Sequence, residues 1–245
     1  MKMRPYLVPL LLVSLLLPSH AVLGSESDIA IEKDPHYTAA GFFDMHVCNW
    51  PDRPPFFMIL FSTPRYSEVE SIAVFRPDGQ PLIHLDLSQY RLIQQLGKPE
   101  KRVFITQLTL PPDAADGWYS ARITLKNDER YFAKDYVIIY TMARVSHMEP
   151  ADGANKIAIP AELTWGTVPG ARFYQVYIKD AWNDGKLIYT SKLLDVPRLV
   201  LPVNLIQPGG LYTWRVQARD VNENILLGDF NHGSLSREAQ FSVAP

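Results

Sequence analysis

The apolar residues of this chain come in short runs, and each run is cut off by proline, glycine, asparagine or aspartate. Phe56–Phe61, Ser71–Phe75, Leu82–Leu85 and Val103–Ile105 are followed by Tyr119–Leu125, Tyr136–Tyr140, Phe173–Ile178 and Tyr212–Ala218. Runs of that length, rich in β-branched and aromatic residues and bounded by turn formers, are strand signals. Their spacing of about 10 to 15 residues predicts an all-β sandwich or barrel rather than strands alternating with helices. One stretch stands apart. Leu87–Leu96 reads as a short helical insert with Leu87, Ile93 and Leu96 on its buried side.

The turns between runs are specific. Pro77-Asp78-Gly79-Gln80 joins two runs with a residue that presets φ and one that accepts a positive φ, so a hairpin is expected. Asn183-Asp184-Gly185 is a second hairpin signal, and Asn127-Asp128 a weaker third. Polar residues collect at 144–152, where strand-like runs stop. The chain therefore divides into a flexible lead-in at 25–40, one module at 41–144 and another at 145–245.

The first 24 residues belong to neither module. Lys2 and Arg4 precede an apolar stretch, Leu7–Leu17, and small residues follow up to Ala21 or Gly24. A basic start, a short apolar run and a small-residue site make a secretory signal peptide. The run falls well short of the roughly 20 residues that a membrane-crossing helix needs. The expected destination is therefore export of a bacterial type: periplasm, cell surface or secreted.

Charge and cysteine usage exclude several classes. The formal charge is −2, and losing Lys2 and Arg4 with the signal makes it more negative. Without a basic run, nucleic acid is not an expected partner and anionic lipid has no electrostatic hold. Cys48 is the only cysteine, so no internal disulfide forms and apolar cores must hold the modules.

Ala161-Glu162-Leu163-Thr164-Trp165 and then Val168–Val176 are similar to the second strand, next turn and third strand of a fibronectin type III domain, which the chain resembles from Ala154 onward. Ile206-Gln207-Pro208-Gly209-Gly210-Leu211-Tyr212-Thr213-Trp214 carries the resemblance furthest, with Phe241-Ser242-Val243 closing the last strand. It implies that Trp165 fills the core and that Tyr212 is a corner tyrosine whose hydroxyl bonds to backbone a few residues upstream. Independently, Tyr212, Trp214, Val216 and Ala218 alternate with Thr213, Arg215, Gln217 and Arg219, as a half-buried strand requires. In the first module, Pro112-Asp113-Ala114-Ala115-Asp116-Gly117-Trp118-Tyr119 resembles the turn before a late immunoglobulin-like strand, with Tyr119 as a second corner tyrosine. The paired cysteines of the disulfide-bonded branch are absent.

Asp44, His46 and Cys48 share one face of a strand and are all metal-ligand types, but neighbours about 6 to 7 Å apart do not close a coordination shell. A distant ligand such as His84 or Asp86 would be required, and the competing reading is a buried thiol beside two partly exposed polar residues. Neither a Gly-Xaa-Ser-Xaa-Gly elbow nor a His-Glu-Xaa-Xaa-His motif occurs, and no glycine-rich phosphate loop does. Trp50 and Arg53 in a proline-rich loop, and Trp182 at a hairpin tip, are the candidate contact residues, because Trp and Arg dominate binding hot spots. The expectation is a non-catalytic exported binding or assembly module acting through protein–protein contacts, without cofactor or metal. A carbohydrate-binding protein that stacks sugars on Trp50 or Trp182 is the alternative. A metal-dependent enzyme around His46 and Cys48 trails both.

Overall fold

The computed structural model describes residues 34–221 and 230–245. The signal peptide expected at 1–24 and the start of the expected lead-in lie outside the described residues. Every element among those described is a β-strand.

Two sheets face each other around the first core. One places β2 (Gly41–Asn49), β3 (Phe56–Thr63), β7 (Lys101–Thr109) and β6 (Tyr90–Ile93) side by side. The other runs β5 (Pro81–His84), β4 (Val69–Phe75), β8 (Gly117–Leu125) and β9 (Arg130–Val137). Phe43, Met45, Phe57, Ile59, Phe61 and Phe104 from the first sheet meet Ile72, Val74, Tyr119, Ala121 and Ile123 from the second. That strand order, with the outer strands supplied by sequence neighbours, is the immunoglobulin-like arrangement of a β-sandwich. Tyr119 completes it: its ring is buried and its hydroxyl donates to the Ala115 carbonyl at 3.0 Å. All three expected hairpins form, at 77–80, 127–128 and 183–185.

The helical insert does not form. Leu87 and Ser88 make a turn, held by Asp86 accepting from the Ser88 amide and hydroxyl, and β6 then pairs with β7 from Tyr90↔Phe104 to Ile93↔Lys101. A run this short carries no decisive period, and the open edge of β7 offers it a ladder. Leu96, expected inside, is fully exposed.

A second core lies between β11 (Glu162–Thr164) with β14 (Arg198–Val200) and a larger layer of β13 (Lys186–Thr190), β12 (Phe173–Asp180) and β15 (Leu211–Arg219). β17 (Ala239–Val243) continues that layer, and β10 (Ala154–Ile157) lies parallel on its outer edge. Trp165 and Trp214 fill the centre, with ring centroids 6.4 Å apart. Tyr212 is buried, and its hydroxyl accepts from the Gln207 amide at 2.9 Å, as the resemblance implied. The connection from the first core is already part of the second: Met142 and Val145 are buried within it.

The two layers are joined by hydrogen bonds, not by the connecting segment alone. β16 (His232–Leu235) pairs with β15 on one side and, in parallel, with β2 on the other, from His232↔Val47 to Ser234↔Asn49. A continuous sheet therefore runs from β6 to β10. Side chains stitch residues 138–143 across the same line. His232 Nε2 meets the Ile138 carbonyl, Ser234 Oγ donates to the Ala143 carbonyl, and Asn49 Nδ2 donates to that of Met142, all within 2.9 Å. Phe230 closes the gap against Cys48 and Phe56, and a side chain at Gly233 would run into its ring. The alternation read along β15 fails here for the same reason: Gln217 and Arg219, expected outside, are buried, with Arg219 lying over Phe230.

Candidate functional site

The polar cluster flagged by the sequence is built along the outer edge of β2. Three amides there point away from β3, and each finds a different acceptor. Phe43 donates to the His36 carbonyl, Met45 to the Asp135 carboxylate and Val47 to the Asn231 carbonyl. The end of the lead-in, including β1 (Tyr37–Thr38), thus covers one part of the edge and β16 another, with a side chain from β9 filling the gap.

Asp135 is the centre of this seam. Its Oδ2 accepts from Met45 and its Oδ1 faces His36 Nε2 at 3.1 Å, while His36 Nδ1 faces Asp34 at 2.7 Å. With a carboxylate on each ring nitrogen, the imidazolium form satisfies both. The bond to Asp135 chiefly holds His36 up at about 9, over the cost of its partial burial. Burial pushes Asp135 above the usual carboxylate range, with the Asp44 charge adding to it, against the pull of His36 and the Met45 amide.

Asp44, His46 and Cys48 do share one face of β2, and all three are buried. The two polar residues are not partly exposed as expected: they are about 2% and 1% accessible and bonded to each other, His46 Nε2 to Asp44 Oδ2, at 2.8 Å. Phe230 lies against the His46 ring, which explains the burial. Besides His46, Asp44 has His36 and Asp135 near it, the three offering ligand atoms within 4.8 Å of one another. His84 and Asp86 are exposed elsewhere. As a ligand set this trio is already spent, since a cation would have to displace the Asp34–His36–Asp135 bonds and the Met45 cap. The arrangement acts as a lock between the lead-in, β2 and β9.

Cys48 is fully buried, and loss of solvent pushes its thiol far up, only partly offset by Arg53. Such a thiol is unreactive. Iodoacetamide should leave the native protein unmodified and label it stoichiometrically in denaturant; rapid native labelling would contradict this burial.

The three expected contact residues part company. Trp50 is half-buried, edge-on to Phe56 at 5.0 Å, with its indole nitrogen enclosed. Arg53 is flattened over the same Phe56 ring and bonded to Gln107. Trp182 alone projects, 72% exposed beside its hairpin turn.

The larger exposed aromatic surface lies elsewhere, on the outer face of β8 and β9. If Tyr119 points inward, Trp118, Ser120 and Arg122 must point out, and the structure has them so. Along β9 and beyond it, Phe132, Lys134, Tyr136, Ile138 and Tyr140 are all exposed, while Ala133, Asp135 and Val137 are buried. Trp118 and Tyr136 are paired across strands with ring centroids 5.3 Å apart. The sequence reading stopped at Tyr119 and missed this face, although the same period of two would have revealed it.

No protein-family model matches the chain, and no curated protein matches it. Solved structures similar to it are distant. One is a chain of the crystal structure of Dpr11 IG1 bound to DIP-gamma IG+IG2 (15% identity, 83% of this chain and 98% of that one, TM-score 0.23). Another is the Bacteroides ovatus SGBP-B in complex with a mixed-linkage heptasaccharide (15% identity, 80% and 42%, TM-score 0.24). A third is a tetra-tandem repeat from the extending region of a large adhesion protein (12% identity, 81% and 49%, TM-score 0.27). Likeness at this level does not bear on function.

Proposed function

We propose that this chain is an exported, non-catalytic binding module. In this reading two tandem immunoglobulin-like sandwiches, 41–144 and a fibronectin type III-like 145–245, are fused through β2 and β16. The fused pair presents the outer face of β8 and β9 to a partner. The two corner tyrosines, Tyr119 and Tyr212, and the core Trp165 support the modules. Lys2, Arg4 and Leu7–Leu17 support export. No helix among the described residues is long and apolar enough to cross a membrane.

The observation that carries the binding reading is the group of exposed rings on one face: Trp118 paired with Tyr136 across β8 and β9, and Phe132 two outward positions from Tyr136 along β9. Water-facing aromatics grouped in this way cost solvation free energy and mark contact surfaces. Catalysis is disfavoured because Asp44, His46 and Cys48, the best candidates for it, are sealed from solvent. Trp182 is a second, separate contact point.

The test uses the mature chain immobilised and exposed to the envelope fraction of its source, beside a Trp118→Ala/Phe132→Ala variant and a Trp182→Ala variant. Loss of the retained component in the double variant, with an unchanged melting temperature, is expected. Undiminished retention would remove this face as the contact surface.

A further inference from the structure

The chemistry of the β8–β9 face goes further than exposure. Cross-strand register sets four rungs: Thr124 with Arg130, Arg122 with Phe132, Ser120 with Lys134, and Trp118 with Tyr136. Cation and aromatic ring therefore alternate along β9, about 6.6 Å apart on one face. No aspartate or glutamate occupies an outward position of either strand, although the chain is acidic overall. Arg122, Arg130 and Lys134 form no ion pair among the described residues, and Arg122 lies over the Phe75 ring. The carboxylates at the two ends of the face are already engaged, Asp116 with the Ile139 amide and Glu129 with the Tyr131 hydroxyl.

The face offers side chains and no free ladder. β8 is paired on both sides, by β4 and β9. On the far edge of β9, the Lys134 amide donates to the Pro35 carbonyl. That bond interrupts the edge along which a peptide strand could add by main-chain pairing. What the face presents is rings for stacking and cations for carboxylates. Three cations without a basic run fall short of a nucleic-acid footprint.

We propose that the outer β8–β9 face binds an acidic polysaccharide, with Trp118, Phe132 and Tyr136 stacking on sugar rings and Arg122, Arg130 and Lys134 pairing with their carboxylates. This rests on the face being the binding surface argued above. It names a glycan where the sequence alone favoured a protein.

Affinity electrophoresis of the mature chain in gels carrying polygalacturonate, a neutral β-glucan, poly-glutamate or oligo-deoxythymidine tests it. Polygalacturonate should retard the protein, and the neutral glucan should not. Trp118→Ala/Phe132→Ala should weaken retardation at least tenfold. Lys134→Gln, a substitution of an exposed side chain, should weaken it severalfold and flatten its salt dependence. Equal or stronger retardation by poly-glutamate or oligo-deoxythymidine would overturn the glycan assignment. So would unimpeded migration in polygalacturonate. If the double variant still loses its envelope component in that last case, the face stands as a contact surface and only its ligand is wrong; if it does not, both readings fall.

Discussion

Replacing Trp165 with alanine should destabilise the protein by about 3 to 5 kcal/mol, the cost of emptying a large aromatic site in a packed core. Its ring is buried against Tyr174 at 5.5 Å and Trp214 at 6.4 Å, so few neighbours can collapse into the hole. Tyr212→Phe keeps the ring and strips the acceptor from the Gln207 amide, a loss of about 1 kcal/mol for an amide with some access to water. Trp182→Ala should stay within roughly half a kcal/mol, because that side chain stands in solvent. Urea unfolding of the whole protein and the three variants is the measurement. The isolated 145–245 fragment would be a poor substitute, since it lacks Met142 and the β2 partner of β16. A neutral Trp165→Ala beside a crippling Trp182→Ala would reverse the inside and outside of this half.

These residues also show what a sequence makes legible. Trp165 and Tyr119 were placed by the resemblance of their segments to fibronectin type III and immunoglobulin-like strands, and Tyr212 by that resemblance together with the alternation along its own strand. Leu87–Leu96 was misread because its own pattern is ambiguous and a partner far along the chain, β7, decided it. The junction was invisible for a stronger reason. Nothing near His232 announces that it will lie beside Val47, and the burial of His46, Gln217 and Arg219 goes with that junction and the Phe230 ring beside it. Two signals were present and unused. Trp118 and Phe132 fall on the outward positions of their strands, and Asp135 falls on an inward one, where a lone carboxylate demands a partner.

That partner set makes Asp135 the second residue whose loss should be severe. Asp135→Ala leaves the Met45 amide without an acceptor and removes one of the two carboxylates that hold His36. An orphaned buried donor costs about 1 to 3 kcal/mol, and a broken buried charge pair more. His36 keeps Asp34 and some solvent, so about 3 kcal/mol is the expected total. Asp135→Asn should cost less, because its side-chain oxygen can still cap Met45. The pH dependence separates the lock from simple packing. His36 has its pKa raised from 6.5 unfolded to about 9 folded, so its contribution is complete below 6.5 and is lost as pH climbs through about 9. Between those values the wild type should lose stability faster than His36→Gln, and Asp135→Ala should abolish most of the difference. Amide exchange at Met45 should quicken in Asp135→Ala while Ile59, deep in β3, stays protected under conditions where the fold persists. A stability loss under half a kcal/mol, with Met45 still protected, would show that the seam does not depend on this carboxylate.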